Sequence, residues 1–197
     1  MKTNKQLITS FAAIIFLMAA TFLTACSKSE KPDSSGSGLG TMTLEVTGEV
    51  NGSFKGMADF NHLKVSQTES WSIAGHDMKP QTFSLDITAI GNQFTSNTIG
   101  RPEPGNYSIG GMQTADYQAT FTHIVDEDFY NSNGKNVTYT AIYLNEGQNG
   151  TLTITSSTEE TVKGTFSFTA HPQDTSSPDA SSKTVQIQGE FTAHKRK

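Results

Sequence analysis

The chain is short of sulfur, of positive charge and of long apolar runs. One cysteine, Cys26, occurs in 197 residues. An internal disulfide is therefore excluded, and so is a zinc site built from several cysteines. Basic residues number 14 against 19 acidic ones. A nucleic-acid binder shows a basic face, so nucleic acid is disfavoured as a partner. The longest unbroken apolar run, Phe11 to Ala20, is half the roughly 20 residues that a spanning helix needs. No helical period follows it. The five histidines, His62, His76, His123, His171 and His194, form no His-x-His or His-Glu-x-x-His pair. There is no Gly-x-Ser-x-Gly elbow and no phosphate-binding glycine loop. We therefore expect no catalytic residues, no enzyme activity and no metal ligands.

What is present begins with an export signal. Lys2 and Lys5 supply a positive start, Phe11 to Ala20 the apolar centre, and Thr24 and Ala25 the small residues before Cys26. The stretch Leu23-Thr24-Ala25-Cys26 resembles the lipobox of bacterial lipoproteins. That resemblance implies a diacylglycerol on the Cys26 thiol, cleavage before Cys26 and acylation of the new amine. Two or more acyl chains anchor stably where one is marginal. The expected divisions are 1–25 as a helical signal peptide, 26–40 as the lipidated cysteine with a disordered linker, and 41–197 as a single β domain. The first 25 residues hold two lysines and no acids, leaving 12 basic and 19 acidic residues, a formal charge of −7. With Cys26 acylated no thiol remains, so the domain holds together by its core. A domain of about 150 residues buries roughly 68–70% of its unfolded surface, enough for that.

Ser27 to Gly40 is built of Ser, Gly, Lys, Glu, Asp and Pro with a lone Leu39, a solvated composition that holds a domain off a bilayer. In many Gram-negative lipoproteins an aspartate after the cysteine favours the inner membrane. Ser27 stands there instead, so the resemblance implies an outer-membrane location in the cell envelope.

From Thr41 the pattern has period two, the strand signal. Met42, Leu44, Val46 and Val50 alternate with polar residues up to Asn51-Gly52, a hairpin-type break. Phe54 to Val65 reads as the returning strand, bulged at Gly56. Ser66 to Lys79 reads as polar and irregular. Gln81 to Ile90 is a clean strand, Tyr107 and Ile109 begin a short edge strand after Pro102 and Pro104, and Thr114 to Val125 alternates again. Val137 to Leu144 is apolar on both sides, and Glu146 to Gly150 reads as a turn before the strand marked by Leu152 and Ile154. The last two strands run through Val162, Gly164, Phe166, Phe168 and Ala170, then Val185, Ile187, Gly189, Phe191 and Ala193. Their matched Gly-Phe patterns predict an antiparallel hairpin, joined by the polar stretch His171 to Lys183. Eight to ten short strands argue for an all-β antiparallel β-sandwich, with a small β-barrel as the alternative. A barrel through a membrane needs strands of about ten residues with an apolar outer side, and several strands here are too short and too polar.

The second half also resembles small, uncharacterised all-β Gram-negative lipoproteins, through Pro104-Gly105-Asn106-Tyr107-Ser108-Ile109, Leu152-Thr153-Ile154-Thr155, Val162-Lys163-Gly164-Thr165-Phe166-Ser167-Phe168 and Gly189-Glu190-Phe191-Thr192. The resemblance implies a β fold and no assigned activity.

Three aromatic residues with polar neighbours, Trp71, Tyr107 and Tyr130, are candidate ligand contacts, since such rings stack on sugars or anchor protein partners. Rings in these positions more often cover the ends of a β core. Asp126-Glu127-Asp128 with Asn131 and Asn133 is the densest set of oxygen ligands and the candidate for Ca²⁺, although its spacing is not that of an EF-hand. Lys195-Arg196-Lys197 reads as a solvated tail. The expected function is a membrane-anchored envelope lipoprotein that binds an envelope protein or glycan, or supports an assembly. The alternative is a carrier for a lipid or other lipophile. The Cys26→Ala chain is expected to leave the membrane fraction or stall as precursor. Unchanged attachment on fractionation would count against the anchor.

Overall fold

The computed structural model describes residues 38–196 apart from 66–67, 79, 92–100, 112–113, 127–134, 143–147 and 175–182. Cys26, the signal segment and Tyr130 lie outside the described residues. Ten strands follow in chain order: β1 (Gly40–Gly48), β2 (Gly52–Val65), β3 (Thr68–His76), β4 (Phe83–Gly91), β5 (Gly105–Gly110), β6 (Gln118–His123), β7 (Val137–Thr140), β8 (Gln148–Ser157), β9 (Thr161–Pro172) and β10 (Val185–Lys195).

Eight of them close a ring. Antiparallel neighbours run β1-β2-β3-β4-β6-β7-β9-β10, and β10 returns to β1. Just past the start of β1, β10 also meets β2 in a short parallel contact, His194 with Asp59 and Lys195 with Phe60. β8 and β5 are additional. The outer edge of β9 is shared, with β8 along Val162–Phe168 and β7 at His171–Pro172. β5 pairs with β8 and touches the chain before β6 through the Ile109–Tyr117 bridge.

The architecture is the closed barrel and not the β-sandwich. Alternation of period two is common to both folds. What separates them is pairing between distant strands, here β1 inserted between β10 and β2, and no local pattern encodes that. Other expectations shift for similar reasons. The stretch read as irregular contains β3, in which Trp71, Ile73 and Gly75 are buried while Ser70, Ser72 and Ala74 are only partly so. Its few apolar residues disguised the alternation. Gly56 carries no bulge, since the β1–β2 register is continuous there. The register shifts lie at Ile154/Ser156 and Ile109/Gly110 instead. β8 begins inside the stretch read as a turn, and β7 ends four residues before the strand expected there.

The barrel interior is one continuous apolar core. Trp71, Tyr139, Phe83, Phe121, Met42 and Ile73 are its largest fully buried members. The wall faces solvent with Thr, Ser, Gln, Glu and Lys, for example Glu45, Lys55, Thr165 and Gln188. A membrane-spanning barrel has the opposite polarity, apolar outside and polar within.

Two local devices set the geometry. At the β1–β2 hairpin Gly48 takes φ 113°, a conformation open to glycine. The Asn51 side chain then closes the turn, its amide donating to the Gly48 carbonyl at 2.8 Å and its oxygen accepting from the Gly48 N–H at 3.3 Å. Across β9–β10, Phe166 stands opposite Gly189 and Phe191 opposite Gly164, as the matched patterns predict. The two rings stack with centroids 6.4 Å apart. A Cβ on Gly189 would overlap the Thr43 carbonyl oxygen and come within 2.7 Å of the Phe166 ring. Gly189→Ala is therefore expected to cost about 1–3 kcal/mol through overpacking. Gly105→Ala, where a Cβ meets nothing nearer than 3.9 Å, should stay within about 0.5 kcal/mol. Chemical denaturation of the two variants checks the contrast.

Candidate functional site

Strand alternation places Trp71 inside the barrel and not in a loop, so it is fully buried. Its ring stacks on Phe60 at 5.9 Å and meets Tyr117 edge-on at 6.1 Å. Tyr117 in turn meets Tyr107 edge-on at 5.5 Å. Two of the three candidate aromatics are thus joined through a residue that the sequence reading did not single out as a contact. Burial pushes the Tyr117 phenol well up, with Tyr107 and Asp116 adding to the effect. The Tyr107 phenol is also raised, first by desolvation, while its hydroxyl donates to the Glu103 carbonyl at 2.7 Å. The Trp71 indole nitrogen has no hydrogen-bond acceptor among the described residues. This chain of rings is part of the core, which is the commoner role for such residues.

The acidic loop is described only at its base, and residues 127–134 lie outside the described residues. There Asn136 clamps the chain. Its side-chain oxygen accepts from the N–H groups of Val125 and Asp126 at 2.8 and 3.0 Å, and its amide donates to the Asp126 carbonyl at 2.6 Å. Lys135 lies 3.7 Å from Asp126. No group of three or more metal-ligating side chains occurs among the described residues.

A carboxylate pair not anticipated from sequence sits on the outer wall. Asp59 occupies an outward position of β2 yet is only 1% exposed. Arg196 covers it, with Nη2 at 3.0 Å from Oδ2, and the Arg196 N–H donates to the Phe60 carbonyl at 2.9 Å. Arg196 is therefore a seam residue and not a free tail. Asp86 lies two strands away, beyond Ala74 in the same cross-strand row. Its carboxyl is raised by desolvation and by the Asp59 charge, against the Thr88 hydroxyl and Arg196, which lower it.

A trough of about 600 Å³ runs along the wall across β2, β1, β10 and β9. Register builds its two sides. Ser53, Glu45, Gln188 and Ser167 form one cross-strand row. Lys55, Thr43, Glu190 and Thr165 form the next. Phe54, Leu44, Gly189 and Phe166 point the other way and leave the floor between the rows. The Gln188 amide donates to Glu45 Oε2 at 3.2 Å, tying one wall together. A second hollow of about 380 Å³ lies on the far side of the Thr43–Glu190–Thr165 row, reaching Lys163 and Thr192. These wall residues were visible in sequence only as the polar half of each alternation.

The geometry defines a class: a small closed β-barrel with a filled interior and a corrugated polar wall. No protein-family model matches the chain, and no curated protein or solved structure matches it.

Asp86 supplies a pH-dependent prediction. Its folded pKa lies above the ordinary 3.8, so the folded chain holds this proton more tightly than the unfolded chain. Its unfavourable contribution is absent below that value and grows as pH rises through the folded pKa. Asp86→Asn, which keeps an acceptor for Thr88, is expected to melt one or two degrees higher at pH 7, from about 0.5 kcal/mol at a half-solvated site. The gain should vanish toward pH 4. Equal or lower melting at pH 7 would refute the assignment.

Proposed function

We propose that this chain is a lipid-anchored lipoprotein of the cell envelope, held in the outer membrane through Cys26, whose barrel acts by binding and not by catalysis. The observation that carries the reading is the division of labour in the barrel: apolar residues fill the inside, and the hydrogen-bonding groups are arrayed on the wall. A carrier of a lipophile needs interior room, and here large side chains such as Trp71, Tyr139 and Phe121 occupy it. Polar pairs that resemble reactive constellations serve local structure. Asp116 Oδ2 accepts both the N–H and the hydroxyl of Ser108, at 2.8 and 2.7 Å, while Ser108 Oγ accepts the Asp116 N–H at 2.9 Å. Asp59 is engaged by Arg196. The polarity of the wall supports a domain held at a membrane by its anchor and not by its strands.

The test is extraction of the full chain, purified from membranes in detergent, followed by mass spectrometry. Only the covalent acyl chains on Cys26 are expected. A non-covalent lipid recovered near one per chain would overturn the module in favour of the carrier.

A further inference from the structure

We propose that the trough between the Glu45–Gln188 row and the Thr43–Glu190 row is the binding site, and that it takes a neutral, polyhydroxylated chain, an uncharged oligosaccharide. The proposal rests on the reading of the chain as a binding module and assigns that module its face and ligand class. Three observations carry it.

The first is shape. The trough crosses four strands, so it is about 14 Å long, and its walls stand two residues apart along each strand, about 7 Å. With the adjoining hollow beyond Glu190, the two together make an elongated depression that suits an extended chain of rings.

The second is charge. Across both hollows the carboxylates of Glu45 and Glu190 are matched by the ammonium groups of Lys55 and Lys163. A balanced surface attracts neither a polyanion nor a polycation and suits a neutral ligand.

The third is hydrogen-bonding capacity. Exposed hydroxyls such as Ser53, Thr165 and Ser167 each offer one donor and two acceptor sites, and Gln188 offers both kinds. A polyol presents the same mixture. A protein partner would instead seek large apolar or aromatic anchors. The large hydrophobic residues most exposed among the described ones, Leu63, Met78 and Val125, lie away from this face. The trough floor is built on β1 and β10, each paired on both edges. The site is therefore preformed, and little ordering cost is incurred on binding.

The full chain in detergent micelles is titrated with short neutral oligosaccharides of glucose and of N-acetylglucosamine, with oligogalacturonate as the acidic counterpart. Saturable binding of a neutral chain is expected. Ser167→Arg and Gln188→Arg, which fill the trough, should each weaken it at least tenfold, and Gln188→Ala, which adds no bulk, at least threefold. Glu159→Arg, in the exposed β8–β9 turn, should leave it unchanged. Melting curves matching the parent qualify each variant. Binding of no neutral oligosaccharide, equal binding by the trough variants, or preference for the acidic chain overturns the proposal. If a photo-crosslinker at Ser167 joins an identified envelope protein while no sugar binds, the sugar assignment fails and the module reading stands. A stoichiometric non-covalent lipid defeats the module reading itself.

Discussion

The structure depends on the β9–β10 register, in which two phenylalanines face two glycines. Each buried ring contributes roughly 1.5–3 kcal/mol of transfer free energy, and each needs the space that the opposing glycine leaves. A slip of one residue would turn every side chain to the other face. Phe166 and Phe191 would then meet water, and Thr165, Gln188 and Glu190 would enter the core. The same register therefore sets the apolar interior and the polar rows outside. The trough cannot exist without the packing beneath it.

Ring closure needs a second support where β10 runs past the start of β1 and meets β2. Only a short parallel contact joins them, which is a weak seam for a barrel. Arg196 reinforces it twice, through its main chain to Phe60 and its guanidinium to Asp59. Asp59 could not be so deeply buried on an outer wall without that partner, because a lone buried carboxylate costs several kcal/mol. Arg196 is half-exposed, so removing it would allow water in and cost less than at a fully buried pair. Asp86, in the same cross-strand row, is raised first by its own desolvation, and the Asp59 charge adds to it.

Much of the fold was legible in the sequence because alternation is a local signal. β1, β4, β9 and β10 follow from Met42-Leu44-Val46, Phe83-Leu85-Ile87 and the Gly-Phe strands, with their buried faces as expected. β3 was hidden because its inner face has only Trp71 and Ile73 as large apolar residues, with Gly75 beside them. Closure was hidden because it pairs strands far apart in sequence, and sandwich and barrel share every local pattern. For the candidate site, Trp71 was legible as an apolar residue but not as an interior one, since its strand went unseen. Asp59 carried no warning. It occupies an ordinary polar position and is buried only because the chain end, 137 residues later, folds across it.

The filled interior has a consequence for where recognition can occur. Small barrels can enclose a ligand in a central cavity, or they can pack the centre and leave the wall free. In this barrel Trp71, Phe121 and Tyr139 fill the centre among the described residues, which favours recognition on the surface. Among surfaces, a loop end carries more adaptable contacts, whereas a wall of paired strands is held by its own backbone ladder. The trough lies on the wall, over β1 and β10, the strands whose positions are most constrained by closure. Recognition there would come from a rigid array of weak polar contacts set by the strand register. A repeating neutral polymer is the partner for which a fixed array of that kind is better suited than a flexible loop.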